Sequence, residues 1–170
     1  IHRNNTYLLY KQNWRGINID VSQFSVELFD YLRPDDLNYN CAVSNKNEKV
    51  KLFFQKELSQ LSTIENDQAK KVFQGNIKEK EIQAFTLDEI LNRDKYRNVK
   101  IDFLNIDVEG ADFKVLNGLS FQKFNPELIC VEIHDKEIKE SKTYNFLKDK
   151  NYQLIWSGVF SHLFSLKKKI

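Results

Sequence analysis

One stretch limits what this chain can become more than any other: Ile101 to Leu119, IDFLNIDVEGADFKVLNGL. Ile101 to Val108 is a mostly apolar run of β-branched and bulky residues, interrupted by two acids, Asp102 and Asp107. Such a run reads as a strand buried on both faces, as in a parallel sheet. Gly110 breaks it. The helical spacing that follows turns Phe113 and Leu116 inward, with Val115 a further candidate, and Gly118 stands where a C′ stop is expected. The unit is strand, acidic turn, helix. In open α/β sheets, ligands bind beyond the carboxyl ends of the strands. Asp107 and Glu109 stand at that edge.

At 170 residues the chain suits a single domain, residues 1–170, with a sizeable core. Its net charge is only +2, with no basic stripe, so nucleic acid is not an expected partner. Lys167-Lys168-Lys169 reads as a solvated tail. Cys41 and Cys130 lie in apolar strand-like runs. They read as small buried residues of a reducing compartment, the cytoplasm, and not as a disulfide or a metal site. No apolar run has the length of a membrane span. The sequence holds no methionine, so Ile1 is not expected to be the biological N-terminus.

Strands alternate with helices along the chain. Asn5 to Asn13 is a short helix candidate with Tyr7 and Leu8 inward, and with Leu9 and Tyr10 as further inward candidates. Gly16 to Val21 is a strand. Ser22 caps a helix that Pro34 stops. Leu37 to Val43 and Val50 to Phe54 follow as strands, the latter nearer a sheet edge. Gln55 to Lys80 is polar and weakly periodic, and reads as a loop or insertion with a short helical piece. Ile82 to Phe85 is a strand. Thr86-Leu87-Asp88-Glu89 is a capping box opening a helix. Beyond the central unit come the strand Leu128 to Ile133, an amphipathic helix over Lys136 to Lys150, and two strands, Tyr152 to Trp156 and His162 to Leu166. The short gap at Gly158 makes that last pair an antiparallel hairpin. The pattern predicts an α/β fold with a doubly wound, mostly parallel sheet and an antiparallel C-terminal hairpin.

Several side chains at strand ends could carry chemistry. Asp20 ends its strand where, in nucleotide-binding folds, an acid accepts hydrogen bonds from ribose hydroxyls. Its structural alternative is a helix-capping acid in a strand-to-helix turn. Asp107 and Glu109 could hold a cation, orient a sulfonium or take a proton. Alternatively, Glu109 caps the following helix, where negative charge is favourable. Glu132 and His134, with Asp135 beyond, end the neighbouring strand. His134 could act as a base near neutral pH, or simply be a hydrogen-bonded strand end. A divalent metal on Asp107, Glu109 and Glu132 is not expected, because no metal-specific spacing is present. Asp102 and His162 read as structural. His2 could reach the cleft or be a solvated terminus.

The stretches NNTYLLYKQNWRGINIDV, LRPDDLNYNCAVS, TLDEIL, IDFLNIDVEGADFKVLNGL, LICVEIH and HLFSL, in that order, resemble the FkbM family of S-adenosylmethionine-dependent methyltransferases. IDVEGADF with a later VEIH is the specific part. The resemblance implies a class I methyltransferase fold, Rossmann-like, with S-adenosylmethionine at the carboxyl edge of the sheet. Asp20 would bind the cofactor ribose. Ala42, Val43 and Ser44 would line the adenine side. Asp107 would lie near the methionine part and the methyl group, with Glu109, Glu132 and His134 facing the acceptor. The implied reaction is O-methylation of a sugar or other small hydroxylated metabolite. The family's first strand and glycine turn are expected upstream of Ile1. Two rivals share much of this pattern: a nicotinamide-dependent oxidoreductase, and a catalytically inactive nucleotide-binding or interaction domain.

Overall fold

The computed structural model describes residues 5–56, 61–93, 96–97 and 99–168. His2 and Lys169 lie outside the described residues. The order of elements is α1 (Tyr7–Lys11), β1 (Ile17–Asp20), α2 (Gln23–Leu32), β2 (Leu37–Asn40), β3 (Ala42–Val43), β4 (Glu48–Phe54), β5 (Ser62–Thr63), α3 (Asn66–Val72), β6 (Lys78–Phe85), α4 (Leu87–Arg93), β7 (Phe103–Ile106), α5 (Asp112–Asn117), β8 (Leu128–Glu132), α6 (Lys142–Asp149), β9 (Tyr152–Ser157) and β10 (Ser161–Leu166). Among these residues no helix is long and apolar enough to cross a membrane.

The class is α/β, but the expected single doubly wound sheet is not what forms. The described strands make three sheets, ordered β1-β2, β3-β6-β4-β5 and β7-β8-β10-β9. Parallel pairing is confined to β1 with β2, β3 with β6, and β7 with β8. Two breaks divide what the sequence pattern would join. At Cys41, which is buried, the chain leaves β1 and takes up β6, so the run Leu37 to Val43 is two strands. Between β1 and β7 no hydrogen bonds run. A slot of about 420 Å³ lies there, lined by Ile17 to Asp20 on one side and Phe103 to Ile106 on the other.

The C-terminal hairpin is antiparallel, and β10 docks between β8 and β9. On one face of this sheet Ile129, Val131 and Phe164 are fully buried with Leu116 of α5 and Leu147 of α6. Edge-to-face contacts at 5.6–5.8 Å link Phe113 with Phe146, Phe121 with Phe146, and Phe121 with Tyr152. That packed face fixes where β7 and β8 end.

Local departures from expectation have local causes. Val115 and Leu116 are buried, whereas Phe113 is only partly so. Helix α1 ends early because Asn13 takes a left-handed φ of 65°, and Leu8, expected inward, is 74% exposed. The helix expected over Lys136 to Lys150 divides at Ser141. That residue is extended (ψ 147°) and its hydroxyl accepts from the Tyr144 N–H at 3.0 Å, so a 3-10 turn (Ile138–Glu140) precedes α6. The Thr86 hydroxyl accepts from the Glu89 N–H at 3.1 Å, as a capping box requires. The reciprocal bond is replaced. Asn47 accepts from the Thr86 N–H, and the Glu89 carboxylate pairs with Arg93 instead. The stretch 55–80 is more ordered than its composition implied, with β5, α3 and the start of β6 within it. β4 lies second from the edge of its sheet, and β5 covers only Phe53 and Phe54 of it, in keeping with a strand near an edge.

Candidate active site

The site is assembled at strand ends. Asp20 closes β1, Ala42 and Val43 form β3, Asp107 follows β7 and Glu132 closes β8. The parallel register of β7 on β8 sets Ile106 beside Val131, so the next residues, Asp107 and Glu132, end side by side. Asp20, Ala42, Val43, Asp107, Glu109 and Glu132 line one cavity of about 850 Å³. That size is within the range of small-molecule and cofactor sites. Phe24, Leu28 and Leu52 supply apolar wall, and Leu61, Ser62 and Ile64 close one side. The stretch read as a loop or insertion with a short helical piece thus contributes to the cavity.

The turn after β7 is strained and braced. Glu109 has φ 52° and Gly110 has φ 93°, two left-handed residues in succession. For a residue with a side chain this costs roughly 1–2 kcal/mol. The Thr63 hydroxyl donates to the Glu109 carbonyl at 2.8 Å, Lys114 Nζ pairs with Glu65 at 2.6 Å, and Gly110 packs against Gln68. Buried Asp112 accepts from the N–H groups of Gly110 at 3.2 Å and Val108 at 3.4 Å. Asp112, and not Glu109, therefore satisfies the turn's donors. The sequence offered a signal for it, an acid at the first helical position after Gly110, but Glu109 competed for the same role.

Burial raises the pKa of these carboxylates, and repulsion from neighbouring carboxylates adds to the rise at Asp20, Glu109, Asp112 and Glu132. Desolvation pushes Glu109 up to about 7, with Asp107, Glu132 and Asp112 adding to the rise and His134 opposing it. Desolvation takes Asp112 to about 6. Asp107 and Glu132 also rise, chiefly by desolvation, although Asp107 is open to solvent on one side. Asp20 rises for the same reason, with Asp107 contributing, even though its Oδ1 accepts from the Ser22 N–H at 2.8 Å. Asp20 thus serves the strand-to-helix turn with one oxygen and faces the cavity as well.

The remaining candidates lie around this centre. His134 is outside the cavity lining, with Nε2 3.3 Å from Glu132 Oε2 and its ring 4.9 Å from that of Phe160. Asp135 is exposed beyond it. Ser44 is buried behind the wall. Its N–H donates to the Phe85 carbonyl, and its own carbonyl would lie 2.4 Å from a Cβ on Gly118. Gly118 has φ −87°, so close approach to Ser44, and not a left-handed C′ stop, demands glycine there. Asp102 is exposed near Lys100, and His162 is buried in the sheet. Among the described residues no group of three His, Cys, Asp or Glu could hold a metal ion.

The sequence model of the family described as "Methyltransferase FkbM domain" matches residues 2–154. No curated protein and no solved structure matches the chain.

Proposed function

The chain belongs to the FkbM methyltransferase family, and from that premise we propose that it transfers a methyl group from S-adenosylmethionine to a hydroxyl of a small metabolite, such as a sugar. The observation that carries this reading is the convergence of Asp20, Asp107, Glu109 and Glu132, from three separate strand ends, on one cavity with an apolar side. That donor set fits the cofactor. Asp20 would accept hydrogen bonds from the ribose hydroxyls. Ala42 and Val43 would meet the adenine, with buried Ser44 supporting them from behind. Asp107 would stand near the positively charged methionine portion. The bound cofactor supplies an electrophilic methyl group on a sulfonium.

The chain's own contribution is alignment and proton removal. As the acceptor oxygen forms its bond to the methyl carbon, the carbon–sulfur bond breaks and the hydroxyl proton must leave. Glu109, raised to about 7, has a pKa suited to a base near neutral pH. His134 paired with Glu132, and Asp107, are the other candidates.

The slot between β1 and β7 belongs to the same proposal. A strand added there, from upstream of Ile1, would join these strands into the doubly wound sheet of a class I methyltransferase. Supporting this, the facing sides of β1 and β7 lack strand partners among the described residues. A reducing cytoplasm is the proposed compartment, on the strength of two free cysteines.

Thermal unfolding with S-adenosylhomocysteine tests the reading. A form extended upstream of Ile1 should be stabilised, by about 2.7 kcal/mol at a hundredfold excess over Kd. Asp20→Ala should abolish most of that shift. An extended wild-type protein that ignores the ligand would sink the proposal.

A further inference from the structure

Residues 61–68 touch both the cavity and the back of the acidic turn. Leu61, Ser62 and Ile64 line the cavity, whereas Thr63 between them is outside that lining and only 3% exposed. Alternation along β5 accounts for this, since neighbours in a strand take opposite faces. A buried hydroxyl needs hydrogen-bond partners, and Thr63 has them on both of its capacities. Its Oγ1 donates to the Glu109 carbonyl at 2.8 Å and accepts from the Glu65 N–H at 3.0 Å. The Glu65 bond occupies a lone pair, so the single hydroxyl proton is directed at the Glu109 oxygen.

The Glu109–Gly110 peptide is thereby gripped from both ends. Its carbonyl takes the Thr63 bond, and its N–H donates to Asp112 Oδ2 at 3.2 Å. This peptide joins the two left-handed residues, Glu109 at φ 52° and Gly110 at φ 93°. Left-handed backbone costs a residue with a side chain about as much as one hydrogen bond returns. The Thr63 bond is therefore of the right size to decide the conformation of Glu109. Two more contacts from the same stretch reach the far side of the turn. Glu65 pairs with Lys114 of α5 at 2.6 Å, and Gln68 Cγ would lie 3.2 Å from a Cβ on Gly110. Since Cβ is rigidly attached to the backbone, a Glu109 that returned to negative φ would aim its carboxylate elsewhere.

We propose that Thr63 is a positioning residue: its hydroxyl holds the Glu109–Gly110 peptide in the left-handed turn and so keeps the Glu109 carboxylate in the cavity, where it serves as base. The role of base rests on the methyl-transfer reading; the hold on the carboxylate does not. Thr63 acts through Glu109 and lies outside the cavity lining.

The position of the carboxylate can be read from its titration. Burial is the largest cause of the rise of Glu109 from 4.5 to about 7, with Asp107, Glu132 and Asp112 raising it further and His134 lowering it. A carboxylate released from the turn leaves both the burial and these neighbours, and its pKa falls back. In the protein extended upstream of Ile1, glutamate labelled with carbon-13 at Cδ lets the Glu109 carboxyl be titrated by NMR, with Glu109→Gln assigning the signal. Thr63→Val removes the hydroxyl and keeps the branched shape. It should lower the Glu109 midpoint by about one pH unit or more, and Thr63→Ser should restore the parental midpoint. Thr63→Ala removes the same hydroxyl and takes the place of Thr63→Val if that variant does not fold. A hydroxyl-free variant that melts earlier yet titrates as the parent does would show Thr63 to be a packing residue alone, and refutes the proposal. A Thr63→Ser protein that titrates like Thr63→Val refutes it too. These readings need neither cofactor nor acceptor. If the same extended parent ignores S-adenosylhomocysteine while residue 63 still governs the Glu109 midpoint, the methyl-transfer reading fails and the positioning role stands.

Discussion

Arg33 and Asp36 show how single residues set the frame of the N-terminal half. Both are buried, and they pair at 2.7 Å. Asp36 also accepts from the Gly16 N–H at 2.9 Å and from Asn18, while Arg33 donates to Thr6 and lies over Tyr10 and Phe29. This pair holds α1, the start of β1 and the end of α2 together. Removing one partner leaves a buried charge uncompensated, so Asp36→Ala should cost about 3–5 kcal/mol in denaturant unfolding. A loss below 1 kcal/mol would show the pair to be dispensable. Glu109 sets a pH dependence. Its proton is held more tightly in the folded state (about 7) than in the unfolded chain (4.5), and Asp112 behaves alike (about 6 against 3.8). Their stabilising contribution is complete below about pH 4 and is lost as pH rises through 6 to 7. Melting temperature should therefore fall from pH 5 to pH 8, and Glu109→Gln should flatten part of that slope. Parallel profiles for the two proteins would contradict it.

At the scale of elements, the acidic turn and α5 are held by neighbours distant in sequence. Thr63 braces the Glu109 carbonyl, and Gly118 lets the end of α5 meet Ser44. Gly118→Ala must shift backbone at the back of the cavity wall, and a destabilisation of about 1–3 kcal/mol is expected. Calorimetry would check this, and an unchanged midpoint would mean the contact can relax freely. Glu109→Gly relieves the left-handed strain and one of the crowded carboxylates. It should raise the melting midpoint by about 2–4 °C while lowering methyl transfer, the trade expected where strain is kept for function.

At the scale of the whole molecule, the acidic cavity wall has an electrostatic consequence. S-adenosylmethionine carries a sulfonium charge that S-adenosylhomocysteine lacks. As Glu109 ionises, the wall becomes more negative, so affinity for the charged ligand should gain on that for the neutral one between pH 5.5 and 8. Calorimetric titration of both ligands measures the ratio. A ratio that does not move with pH would place the sulfonium away from Asp107 and Glu109. Coulombic attraction of this kind is screened by salt, so the same ratio should shrink at high ionic strength.

The sequence by itself determined the α/β class, the family, most strand positions and the strand-end residues Asp20, Asp107, Glu109 and Glu132. Those features are local: alternation, a glycine break, a capping serine, an acid after an apolar run. Tertiary structure alone decided the rest. Whether Leu37 to Val43 is one strand depends on which partner each half meets, β1 or β6. The brace on Glu109 comes from Thr63, forty-six residues away, in a stretch whose polar composition hid its role. Trp156 faces outward because of a bulge defined by its partner strand, which no period in one sequence can register. Pairing, close approach and desolvation are properties of two segments at once, and a single line of residues states only one of them.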